Sequence, residues 1–177
     1  TLKPASMPLF SLAVTGVDRV MSQQLAIINE LASYGGNDLL CYRADDHDLA
    51  GRQQQQWQPW IDWVGTEFNV NLRIATGIMP VTQPDVSRFE AHLQKLDVWR
   101  LAVLHRAVSL GGSLVLGLGF VARRLDADQF FTTAFLEELW QNEKWGRDFE
   151  AEDRQNDIRA ELNDVARFLA LLPCPTK

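Results

Sequence analysis

The apolar positions of this chain recur mainly at helical spacing. From residue 8 to residue 34, Leu9, Leu12, Ala13, Val17, Val20 and Met21 keep a 3.6-residue period, and Leu25, Ile28, Leu31 and Ala32 continue it. Pro8 suits a first helical turn and Gly35-Gly36 supply the stop, so the pattern predicts a helix that Gly16 bends or divides. The run Leu39-Leu40-Cys41-Tyr42 is too short for its period to separate a strand from the first turn of a helix. Residues 48–68 read as helix, broken or kinked at Pro59, with Trp57, Trp60, Trp63 and Val64 returning to one face. Such a stripe reads first as core packing. An extended piece over residues 71–76 ends at Gly77, and Pro80 and Pro84 mark a connection.

Further helices follow in quick succession. Asp85 or Ser87 caps one over residues 88–96, and Asp97 begins another that runs to Leu110. Ser113 caps an apolar helix over residues 114–125, and Asp126 caps the helix that carries Phe130, Phe131, Phe135, Leu139 and Trp140. Gly146 interrupts it. A last amphipathic helix spans residues 150–172 and ends at Pro173. The pattern predicts a mostly α protein: one helical domain of about six to eight helices with one or two short extended segments.

Composition narrows the class of function. At 177 residues, with 46% hydrophobic and 23% charged side chains, the chain can bury a sizeable core and does not read as disordered. Its longest apolar run, residues 114–122, is about half of the ~20 residues that cross a bilayer. The net charge of -6 argues against nucleic acid as the main partner. Ten of the 23 acids lie between Glu137 and Asp164 beside four of the 17 bases, so the whole negative excess comes from that stretch. Cys41 and Cys174 stand far apart, and two lone thiols in a reducing compartment fit better than one long-range disulfide. Neither has a His or a second Cys at ligand spacing, and His47, His92 and His105 are equally scattered, so no metal site is expected. No signal pattern opens the chain, which starts at Thr1 rather than Met and reads as a fragment.

Three candidate chemistries can be weighed. Residues 117–122 match the Gly-x-Gly-x-x-Ala form of a dinucleotide fingerprint, with Glu137 and Glu138 roughly twenty residues on. That motif works only at a strand-to-helix turn, whereas here it lies within an apolar helical run, so close helix packing is expected instead. His105 has no nucleophile assigned by spacing and reads as a structural histidine. Glu137 and Glu138 point about 100° apart on a helix, too divergent for a catalytic dyad. The segment FFTTAFLEELWQNEKWG, residues 130–146, remains. Phe131, Phe135 and Leu139 form one stripe, Leu136 and Trp140 lie to one side of it, and Glu137 lies to the other. A helix apolar on more than one side is buried twice, or buried once and open to a partner. The pattern alone leaves both readings open.

Six segments together resemble a known family. They are MPLFSLAVTGVDRV (7–20), DLLCYRA (38–44), WQPWIDWV (57–64), TGIMPVTQP (76–84), SLGGSLVLGLGFVARRLDA (109–127) and LEELWQNEKWG (136–146). In this order they are similar to the assembly chaperone for the α subunit of the F-type ATP synthase, known in mitochondria as complex assembly factor two. The resemblance implies a non-catalytic protein without cofactor, working as a monomer, cytoplasmic in a bacterium or in the matrix of a mitochondrion. It would hold the free α subunit and cover the surface that β subunits later bury. The family carries an N-terminal β-rich domain ahead of the Met-Pro-Leu motif. Its absence here makes residues 1–177 one helical chaperone domain, with residues 1–6 as a remnant of the linker. The resemblance also implies a required acid in the Leu-Glu-Glu motif, which falls on Glu137, with Glu138, Trp140 and Glu143 as lesser partner-binding candidates. After Gly146 the family's acidic continuation is diluted by Arg147 and Phe149.

Overall fold

The computed structural model describes residues 7–77, 79–83, 87–146 and 149–173. The proposed linker remnant, residues 1–6, and the candidate cap Asp85 lie outside them, as does Cys174. Nine α-helices and two very short strands occur among the described residues. That is one helix more than the pattern predicts. The first long helix divides into α1 (Pro8–Thr15), a π-helical turn (Gly16–Val20) and α2 (Gln24–Gly35). A β-carbon on Gly16 would lie 2.8 Å from the Trp99 ring, so only glycine lets the two elements close there. The ambiguous run after Gly36 is both things in turn: a 3-10 turn (Leu39–Cys41), then β1 (Tyr42–Arg43).

The helix α3 (His47–Phe68) is capped by Asp46, whose carboxylate accepts from the N–H groups of Asp48 and Leu49. It passes through Pro59 without a break. Pro59 is exposed, so the one hydrogen bond it forgoes is on the solvent side. Asn69, in the left-handed conformation, ends the helix. β2 (Ala75–Thr76) then pairs in parallel with β1, Tyr42 opposite Ala75 and Arg43 opposite Thr76. There follow α4 (Ser87–Leu93), α5 (Val98–Gly111), α6 (Leu114–Val121), α7 (Ala127–Ala134), α8 (Leu136–Trp145) and α9 (Phe149–Leu171).

At the centre stands α6, all eight of whose residues are buried. A helix apolar all round needs neighbours on every side, and α2, α3, α5 and α7 supply them. α5 packs along it as the other arm of a hairpin, turned by Gly112 at φ 70°. α9 closes the outside of α1, α5 and α7. Two buried polar links tie distant segments together. Asp38 accepts from Leu40 N at 3.0 Å, Ser113 Oγ at 2.8 Å and Val115 N at 3.0 Å, joining the 3-10 turn to the start of α6. The indole N–H of fully buried Trp57 donates to the Thr133 carbonyl at 2.8 Å, joining α3 to α7.

Candidate protein-binding surface

α7 is set by a capping box, Asp126 with Gln129, and turns Phe130 and Phe131 inward. Phe135 leaves helical geometry at φ -100° and ψ 20°, and the chain re-enters a helix at Leu136. This break rotates α8 so that Leu136 and Trp140, one turn apart, face inward and are buried. Trp140 donates its indole N–H to Asp48 Oδ2 at 2.9 Å. That bond, with Lys144 Nζ 3.2 Å away, holds the Asp48 carboxyl below its ordinary value.

The four residues expected to bind a partner therefore have different surroundings. Trp140 is buried in the core and presents little of its ring to solvent. Glu138 points to α9, accepting from Arg154 at 2.6 Å and Gln155 at 3.1 Å. Glu143 reaches α3 and pairs with Arg52 at 2.7 Å. Both pairs lie near the surface, where such contacts contribute on the order of 0–1 kcal/mol and exchange readily. Glu137 is half-buried on the other side of α8. Its Oε1 accepts from Gln53 Nε2 at 2.6 Å, and burial pushes its carboxyl above the ordinary value. It borders an open groove of about 720 Å³ shared with Tyr42, Arg43, Asp45 and Gln141.

Two residues that pattern reading did not single out are the most exposed of the aromatic side chains among the described residues. Trp145 is 74% and Phe149 83% accessible, on either side of Gly146 at φ 91°. Trp145 rests edge-on against Trp140, ring centroids 5.6 Å apart. A signal for it existed: five residues after Trp140 on a helix is about 140° away, so the two indoles cannot share one buried face. Phe10, Val14, Val17, Met21 and Leu25 are also exposed, along α1 and the start of α2.

Comparison with known proteins places this arrangement. The sequence model of the ATP12 chaperone protein family matches residues 1–65. The crystal structure of Atp12 from Paracoccus denitrificans is similar over 97% of this chain and 75% of its own, with 38% identity and a TM-score of 0.92. An aspartate-to-lysine mutant of P. denitrificans Atp12p matches at the same identity and TM-score, with 74% of its own chain covered. The Atu1473 protein of Agrobacterium tumefaciens is 31% identical with a TM-score of 0.86, over 95% of this chain and 64% of that one. The chain belongs to the ATP12 chaperone family.

Within this ATP12-family fold the other sequence candidates have structural places. Residues 117–122 lie in and just after α6, four residues beyond its Ser113 cap rather than at a strand-to-helix turn. A β-carbon on Gly117 would sit 2.7 Å from Val108 Cγ2 and 2.8 Å from Leu104 Cδ1, so this glycine is there for the contact between α5 and α6. His105 Nε2, on α5, lies 3.4 Å from Glu30 Oε1, on α2, without a hydrogen bond between them. Burial, and after it the neighbouring Asp38 carboxylate, push the Cys41 thiol up to about 12 and leave it unreactive. No helix among the described residues is long and apolar enough to cross a membrane.

Proposed function

We propose that this ATP12-family chain is an assembly chaperone that binds the free α subunit of the F-type ATP synthase until β subunits take its place. The observation that carries the reading is the corner where α8 meets α9. There two exposed aromatic rings stand on the most acidic stretch of the chain. The α subunit as client comes from the resemblance of six segments in their order. A subunit destined for an obligate ring exposes a broad, largely apolar interface while unassembled. Trp145 and Phe149 match such a surface in kind, and Glu137, Glu138 and Glu143 match basic groups at its margin. Glu137 is the main polar determinant in this reading, because it alone of the three lacks a cationic partner among the described residues. Release needs no nucleotide, since a β subunit competing for the same surface suffices.

The test is capture of purified α subunit by the wild-type chain, Glu137→Lys and Trp145→Ala, each with a melting curve. Both variants are expected to lose capture by tenfold or more, a cost of about 1.4 kcal/mol or greater. Melting should stay nearly unchanged in Trp145→Ala and fall by a smaller amount in Glu137→Lys, which leaves the buried Gln53 amide without its acceptor. Failure of the wild-type chain to hold α subunit would sink the reading. Equal loss of capture and of stability would make the residue structural.

A further inference from the structure

Gln53 is fully buried, and its orientation is forced. Its Oε1 accepts from Ala44 N at 2.8 Å, and a backbone N–H can only donate. The amide nitrogen therefore faces Glu137, and Glu137 Oε1 must accept its proton. Glu137 Oε2 is left without a partner among the described residues, on a carboxylate half removed from water. Arg43 lines the same groove at 7% exposure. It gives Nη1 to the Leu40 carbonyl and lies over the Trp57 ring at 5.3 Å, but its Nε and Nη2 have no partner. Polar groups so placed cost free energy unless something satisfies them. The groove thus offers one open acceptor, while the unpartnered Arg43 nitrogens are shut off from solvent.

We propose that this groove seats one basic residue of the client in extended form, its side-chain cation on Glu137 Oε2, with Gln53 as the positioning residue. The inference rests on the reading that the chain holds a protein client. Charge selects the side chain. Asp45 lies on the groove with Glu137, so a cationic side chain is attracted where an acidic one is repelled. Leu39, Tyr42 and Leu49 supply the apolar wall along which an aliphatic stem packs. A cation on Glu137 replaces water at a carboxylate already partly stripped of it, which makes the contact stronger than an open surface pair.

The probe is a blocked Val-Arg-Val peptide against the same peptide with citrulline, which keeps the shape and removes the charge. The 177-residue chain is titrated with each, following the Gln53 side-chain amide and the Glu137 carboxyl carbon by NMR. The arginine peptide is expected to bind about tenfold more tightly than its citrulline twin and to lower the Glu137 titration midpoint. Glu137→Gln keeps the bond from Gln53 and removes the charge, so it should erase the difference between the peptides. Gln53→Met should raise the Glu137 midpoint and weaken the arginine peptide; a packing role alone would leave that midpoint where it was. Equal binding of the two peptides, or an unchanged preference in Glu137→Gln, overturns the inference. Capture of α subunit is scored separately. If it is held while the peptides are not told apart, the groove assignment falls and the client reading stands. The reverse pattern keeps the groove and removes α subunit as client.

Discussion

Asp38 shows how one buried side chain couples folding to pH. Burial raises its carboxyl to about 6 against its hydrogen bonds, which pull the other way. The folded state then holds a proton that the unfolded chain releases at about 4. A carboxyl raised in this direction penalises the fold above its folded pKa and relieves it as pH falls. The Asp38 contribution should therefore grow as pH drops from about 7 through 6 toward 4, by roughly 3 kcal/mol. Denaturation of the wild type and Asp38→Asn across that range isolates it, since other carboxyls largely cancel in the difference. Asn sets an amide N–H₂ against the Val115 or Leu40 N–H, so the variant should be less stable at every pH, and the gap should widen as pH falls. A constant gap would refute the assignment. Trp57→Phe tests the other buried link. It removes volume from a site with no exposure and leaves the Thr133 carbonyl unpaired, for an expected loss of about 2–4 kcal/mol in chemical denaturation.

At the scale of elements, packing overrides propensity in a way that two glycines make measurable. Alanine favours a helix interior over glycine by about 1 kcal/mol. Gly51 lies on the exposed side of α3, and a β-carbon there meets nothing within 4 Å, so Gly51→Ala should stabilise by roughly that amount. The same change at Gly117 drives a methyl into Leu104 and Val108 on α5. Overpacking of this kind costs about 1–3 kcal/mol, and the net effect should be destabilising despite the better propensity. Thermal melts of the two variants should shift in opposite directions. A stabilising Gly117→Ala would mean that α5 and α6 are not in the contact described. The break at Phe135 is the other element-level decision. On a single continuous helix Trp140 would stand about 140° from Phe135; the separate α8 packs it on α3 and leaves Trp145 outside.

For the molecule as a whole, the net negative charge is concentrated on α8 and α9, and this sets how a client would approach. Charges at an interface margin act mostly on association, and salt screens them over a distance of about 10 Å at 0.1 M. The association rate with α subunit should fall several-fold from low to physiological salt, with dissociation little changed, as stopped-flow mixing would report. A dissociation rate that carries the salt effect would place buried charge pairs, rather than an acidic margin, in control. Much of this architecture was legible in the residues. The helix boundaries at Pro8, Asp97, Ser113, Asp126 and Pro173 follow from caps and breakers that act within a turn or two, and the apolar run of α6, capped by Ser113, reads as a closely packed helix. The family, too, was readable from six short segments. Which side chains are left outside was not. Trp140 and Trp145 are the same residue type on the same helix, and only the docking of α8 on α3 buries one and exposes the other. The partnership of Gln53 with Glu137 joins residues 84 positions apart. Local sequence fixes where helices start and stop because those bonds close within a few residues; exposure and pairing depend on which helix lies opposite, and that is settled only when the whole chain has packed.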